Sequence, residues 1–84
     1  MEVFIKNLPS IDLHGYDREI ARVELNDFIR DNIKLKNEKI VIIHGKGQGI
    51  IRQTVKETLK NNRKVIKFEI LATNDGCTVA HLKI

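Results

Sequence analysis

Four consecutive β-branched aliphatics, Ile40-Val41-Ile42-Ile43, set the terms for this 84-residue chain. A strand sends successive side chains to opposite faces, so a run apolar on both faces needs cover on both. That is the situation of a central strand in a parallel sheet. His44-Gly45 stops the run, and Gly45-Lys46-Gly47-Gln48-Gly49 leads into a helical pattern. There Ile51, Val55 and Leu59 recur at i, i+4, i+8, with Arg52, Lys56 and Lys60 as a cationic stripe one position along. Asn61-Asn62 closes that helix.

Upstream, Ile11-Asp12-Leu13-His14 is short and alternating, and Gly15 ends it. Asp17 is placed to accept a bond from a free N–H of the first helical turn. Ala21, Leu25, Phe28 and Ile29 follow at helical spacing, flanked by Ile20 and Val23, which predicts an amphipathic helix of about four turns. Downstream, Val65 to Ile70 alternates, with Ile66, Phe68 and Ile70 on one side and Lys67 and Glu69 on the other. Asn74-Asp75-Gly76 reads as a turn, with Cys77 inside it, and Thr78 to Ile84 alternates again with Ala80, Leu82 and Ile84 in phase.

The order is therefore β-α-β-α-β-β. Strands separated by helices predict parallel pairing, and the last two predict an antiparallel hairpin. Two right-handed crossovers put both helices on one face of a four-stranded mixed sheet. The fold class expected is α/β, a two-layer sandwich. The other face is expected to be more open and to carry Lys67, Glu69, His81 and Lys83. Residues 1–10 read as an arm, or as a short strand through Val3-Phe4-Ile5 broken at Pro9, and residues 11–84 as the domain.

Composition narrows the function. The length allows one small domain. One cysteine, Cys77, excludes an internal disulfide and a cysteine-built zinc site. The aliphatic run at Ile40 falls far short of the ~20 residues of a membrane helix. The N-terminus has neither the basic start nor the apolar stretch of a secretion signal, so cytoplasmic residence without membrane attachment is the simplest expectation. The net charge of +4 is unevenly spread. Residues 1–42 carry seven Lys/Arg against eight Asp/Glu, whereas residues 43–84 carry eight against three. Basicity localised in this way suits a polyanion such as nucleic acid, and also a merely solvated lysine-rich surface.

Two histidines share one setting. His14-Gly15 and His44-Gly45 each lie where an expected parallel strand runs into the loop before its helix, the edge at which open α/β sheets bind ligands. Asp12 shares a strand face with His14. Gly45, Gly47 and Gly49 before a helix start allow N–H groups to converge on an anion, and Lys46 adds a full charge. The Walker and dinucleotide spacings are both absent, so a nucleic-acid phosphate is the better guest than a nucleotide cofactor. Arg52, Lys56 and Lys60 extend that surface. Tyr16 is placed either to stack on a base or to pack beside the helix start. His81 reads as a half-exposed sheet residue, and Cys77 lacks a basic neighbour that would make it a nucleophile.

Ile11-Asp12-Leu13-His14-Gly15, then His44-Gly45-Lys46-Gly47-x-Gly49-x-x-Arg52, then Thr78-Val79-x-x-Leu82, resemble the Smr (small MutS-related) domain over residues 11–84. The resemblance implies a fold similar to the C-terminal domain of translation initiation factor three. It also implies a nuclease activity, nicking DNA or cleaving RNA, in a stand-alone protein or at the C-terminus of a MutS-like one. By resemblance Asp12 and His14 are implicated in cleavage, and His44, Lys46, Gly47 and Arg52 in catalysis and phosphate contact. Asn74-Asp75-Gly76-Cys77-Thr78 departs from the family's Gly-Gly-x-Gly-x-Thr stretch, with one glycine and a shorter loop.

The expected chemistry divides base and acid roles between His14 and His44, with Asp12 orienting an imidazole and Lys46, Arg52 and the glycine loop holding phosphate. With RNA the 2′-OH serves as nucleophile and no metal is required. With DNA a water must be activated, for which a loosely bound Mg2+ or Mn2+ ion is the natural aid. No tight metal-ligand cluster is visible. The alternative is a non-catalytic module that grips nucleic acid or the ribosome and leaves cleavage to a partner. A monomer or weak homodimer is expected.

Overall fold

The computed structural model describes residues 7–46 and 49–84, and the strand considered at Val3-Phe4-Ile5 lies outside them. Among the described residues the elements run β1 (Ser10–Asp12), α1 (Arg18–Lys34), β2 (Lys39–Ile43), α2 (Ile50–Asn61), β3 (Val65–Ile70) and β4 (Cys77–Leu82). The Asp17 carboxylate caps α1 by accepting from the Ile20 N–H at 2.9 Å. Ala21, Leu25 and Ile29 are buried as the spacing predicts, while Ile20 and Val23 stay half out. Asn32 extends the buried stripe: its side-chain amide donates to the Phe28 carbonyl at 2.8 Å and accepts from the Asn37 amide.

The sheet order is β1-β2-β4-β3, with β1 parallel to β2 and β4 antiparallel to both neighbours. The two-layer α/β sandwich with a mixed four-stranded sheet is thus as expected. The parallel pairing holds for β1 and β2 alone, because β4 inserts between β2 and β3. Leu13, Ile40, Ile42, Ala80 and Leu82 meet Leu25, Ile29, Val55 and Leu59 in one core. Burying each such aliphatic contributes roughly 1.5–3 kcal/mol.

Three local expectations are corrected. A bulge falls between Val65 and Lys67, so Val65 and Phe68 pack on the core and Ile66 is exposed, which breaks the even alternation. Cys77 is not in the turn; it begins β4 and is buried. Ile84 lies past the end of β4 and is exposed.

The face away from the main core is more covered than expected. Val41, Cys77 and Val79 are buried there, with Leu8, Ile43 and Leu71 packed against them. Toward the other end of β2, register sets Lys39 and Lys67 on either side of His81. Burial, then the charges of Lys67 and Lys39, hold the His81 imidazole below its usual range, against an opposing pull from Glu69. A histidine lowered in this way binds fewer protons folded than unfolded, so acidification through its ordinary range favours unfolding. The melting temperature is expected to drop between about pH 7.5 and about pH 5.5. His81→Gln should make that drop shallower, and an identical slope in the variant would clear His81 of the effect.

Candidate functional site

The parallel pair β1 and β2 ends at Asp12 and Ile43, and the loops beyond it meet. Leu13 is fully buried and its N–H donates to the Ile43 carbonyl at 2.7 Å, so the chain is anchored between two outward-facing residues. Those residues are Asp12 and His14. His14 Nδ1 lies 2.5 Å from Asp12 Oδ1, which also accepts from the His14 backbone N–H at 3.1 Å. The hydrogen bond from His14 holds the Asp12 carboxyl below its ordinary range, against a small opposing effect of burial. The carboxylate therefore stays ionised at neutral pH and fixes the ring through Nδ1. Nε2 makes no hydrogen bond among the described residues, and the His14 side chain is 68% exposed. This is the geometry of an oriented proton-transfer group.

His44 is placed differently. It is 5% exposed and both ring nitrogens are engaged inside the fold. Nδ1 is 3.0 Å from the Gly45 carbonyl and Nε2 is 2.8 Å from Thr78 Oγ1. A carbonyl can only accept, so Nδ1 carries a proton, and in the neutral ring Nε2 accepts from the Thr78 hydroxyl. In the sequence the two histidines look equivalent, each before a glycine at a strand end. The structure separates them into an open couple and a buried tie from the loop after β2 to β4.

Beside that tie three loops meet. The Gly76 carbonyl accepts from the N–H groups of both His44 and Gly45, at 2.9 and 3.0 Å. Gly45 has φ +84°, and a side chain there would stand 3.4 Å from His14 Cβ. At Gly76 a Cβ would lie 3.2 Å from Lys46 Cγ and 3.3 Å from the Gly45 backbone carbon. Glycine at these positions lets the loops of His14, Lys46 and Asp75 close on one another.

Asp75 organises the cations. Its carboxylate lies 4.0 Å from Lys46 Nζ and 3.8 Å from Arg52 Nη2, and its carbonyl accepts from Arg52 Nη2 at 3.1 Å. Arg52 Nε is buried with no hydrogen-bond partner among the described residues. Gly49 precedes α2 without a side-chain cap, which leaves first-turn N–H groups open among the described residues. Lys56 and Lys60 are exposed further along α2, and Gly47 lies outside the described residues. Tyr16 is in the open, on the turn that follows His14.

The sequence does not single out Asp75 or Thr78 for a role: Asp75 looks like a turn residue, and Thr78 carries a signal only as part of the third motif. Among the described residues, no three His, Cys, Asp or Glu side chains gather to hold a metal ion. Among the same residues, no helix is long and apolar enough to cross a membrane.

Fold and site together define a two-layer α/β domain with a histidine–carboxylate couple beside a cationic glycine loop at the ends of its parallel strands. Residues 11–83 match the Smr domain, and the chain belongs to that family. The protein "Endonuclease MutS2" of Geobacillus thermodenitrificans is 41% identical over 76 residues, covering 87% of this chain and 10% of the relative. Its namesake in Helicobacter pylori is 41% identical over 66 residues, covering 79% and 9%. The chain thus spans about a tenth of the length of the curated relatives it matches. The Smr domain of Thermus thermophilus MutS2 superposes with a TM-score of 0.88 at 26% identity, over 92% of this chain and all of that one. YdaL, a stand-alone small MutS-related protein from Escherichia coli, gives a TM-score of 0.84 over 89% of this chain and 64% of its own; at 23% identity this speaks to the fold alone.

Proposed function

We propose that the domain is an endonuclease that cuts nucleic-acid phosphodiesters at the Asp12–His14 couple. The observation that carries this reading is the exposed imidazole fixed through Nδ1 by an ionised carboxylate, next to two cations. Phosphate contacts by themselves require no such couple. The endonuclease name borne by relatives about 40% identical supports the same reading.

In this scheme His14 Nε2 takes the proton of the attacking hydroxyl, Asp12 stabilises the imidazolium that forms, and as the P–O bond to the leaving group breaks a solvent water gives that oxygen its proton. Lys46, Arg52 and the open N–H groups at the start of α2 hold the phosphate and offset its growing charge. The incoming phosphate displaces Asp75 from the two cations. His44 acts at one remove, by holding the Gly45 loop against β4 through Thr78. An RNA substrate supplies its own 2′-OH, whereas DNA requires an activated water and favours help from a divalent ion.

The second reading, a binding module without turnover, draws on the burial of His44 and the prior engagement of Lys46 and Arg52 by Asp75. The test is cleavage of a labelled single-stranded RNA and of a supercoiled plasmid, with and without EDTA, beside a Lys46→Ala control. RNA cut in EDTA supports metal-free acid–base chemistry. Plasmid nicking lost in EDTA assigns a metal-assisted DNA nickase. Binding of both without any cut ends the enzyme reading and leaves the module.

A further inference from the structure

A second feature adjoins the candidate site. The turn Gly15–Arg18 and the first residues of α2, Ile50 and Ile51, line an open bay of about 650 Å³. Its walls are largely apolar and unpartnered: Tyr16 is 44% exposed and Ile50 64% exposed. Asp17 and Arg18 are its charged lining residues, and the Asp17 carboxylate is already committed to capping α1. Ile50 and Arg52 are two positions apart on one helix, which turns them about 200° from each other. The bay and the Asp75-held cations therefore flank the two sides of the same helix end. His14 immediately precedes the turn that forms the bay.

We infer that this bay is a nucleobase site, taking one base of the strand whose phosphodiester lies at His14. The inference rests on the proposed nuclease reading for the position of that strand. Tyr16 stacks on the base, Ile50 closes on it from the α2 side, and Arg18 faces the sugar–phosphate edge. The occupant is set by what surrounds the bay: apolar walls accept a flat ring, while a cation in the lining and two beyond the helix end accept the backbone that carries it. A paired base has both faces stacked and its edge engaged, so the bay admits an unpaired one. The site thereby discriminates between strands by pairing state, with little demand on base identity, since every base has a π-face.

The composition provides a direct probe. Tyr16 is the one tyrosine of the chain and there is no tryptophan, so the tyrosine emission of the protein reports on this bay. Three ligands of equal length and backbone charge are titrated: a 2′-O-methyl RNA strand, which resists cleavage by its own hydroxyl, a single-stranded DNA, and an abasic strand. Cleavage of the unmodified strands is followed in parallel. The expected result is saturable quenching by a base-bearing strand and none by the abasic one. Affinities of the variants, which lack the tyrosine signal, are read from the fluorescence anisotropy of end-labelled strands: Tyr16→Ala should weaken the base-bearing strand by about 5- to 150-fold, Tyr16→Phe should keep most of the affinity, and neither should change affinity for the abasic strand.

Equal quenching by the abasic strand, or unchanged affinity in Tyr16→Ala, overturns the inference. Emission that depends on protein concentration without any nucleic acid overturns it too, because a second copy would then cover the bay. The two readings fail separately. Cleavage without base-dependent quenching removes the bay and leaves the nuclease. Base-dependent quenching without cleavage keeps the bay and removes the nuclease.

Discussion

Replacing His14 by alanine is expected to slow cleavage by about 10²- to 10⁴-fold while leaving the melting temperature where it was. The side chain stands in solvent outside the core, and its bond is to Asp12, itself exposed. Surface changes of this kind usually stay within about 0.5 kcal/mol of stability. Affinity for substrate should hold as well, because the proposed scheme gives the phosphate contacts to Lys46 and Arg52. Asp12→Asn separates two roles of the carboxylate. An amide oxygen still accepts from Nδ1, so orientation survives, but the charge that stabilises an imidazolium is gone. Its cleavage rate should fall between wild type and His14→Ala. Single-turnover rates at saturating protein, paired with thermal melts, decide the matter. A His14→Ala protein that cuts at the wild-type rate would remove the couple from the chemistry.

His44→Ala should behave in the opposite way. The substitution opens a cavity and strands the buried Thr78 hydroxyl, at about 1–3 kcal/mol for a buried group left unsatisfied, and the half-buried Gly45 carbonyl loses its partner as well. A loss near 3 kcal/mol overall is expected, and in a domain this small each kcal/mol lowers the melting temperature by about 4–8 °C. Cleavage should fall too, because the loop that presents Lys46 loses its tie to β4. His44→Ala that melts like wild type yet cuts nothing would restore the two-histidine scheme read from the sequence. The melts separate the cases before any substrate is added.

What could be read in the sequence, and what could not, follows the range of the interactions. The two helices are legible because Ala21, Leu25 and Ile29, and then Val55 and Leu59, repeat along one local period, and Asp17 marks a start that needs no distant partner. The Asp12–His14 couple is legible for the same reason: two residues apart at a strand end, they emerge on the same side. The bulge at Ile66 is not, since its cause is the register with β4, sixteen residues on. Nor is the burial of His44. Its surroundings come from Thr78 and Gly76, more than thirty residues away, and a histidine before a glycine looks the same whether the ring is capped or open. Asp75 is the clearest case of hidden function. In the chain it is a turn residue, and only the folded loops set it between Lys46 and Arg52.

The position of β4 has a consequence for how the domain comes into being. It is the last in chain order of the six elements among the described residues, yet it lies inside the sheet, between β2 and β3. A nascent chain that has emerged only as far as Ile70 holds two helices and three strands but has nothing to join β2 to β3. Ala80 and Leu82, which complete the main core, are also still to come. The sheet therefore cannot be completed until the residues of β4 are present, because β2 and β3 are joined only through that strand. Placing that strand also brings Thr78 to His44 and Gly76 to Gly45, so the site too is complete only with β4 in place.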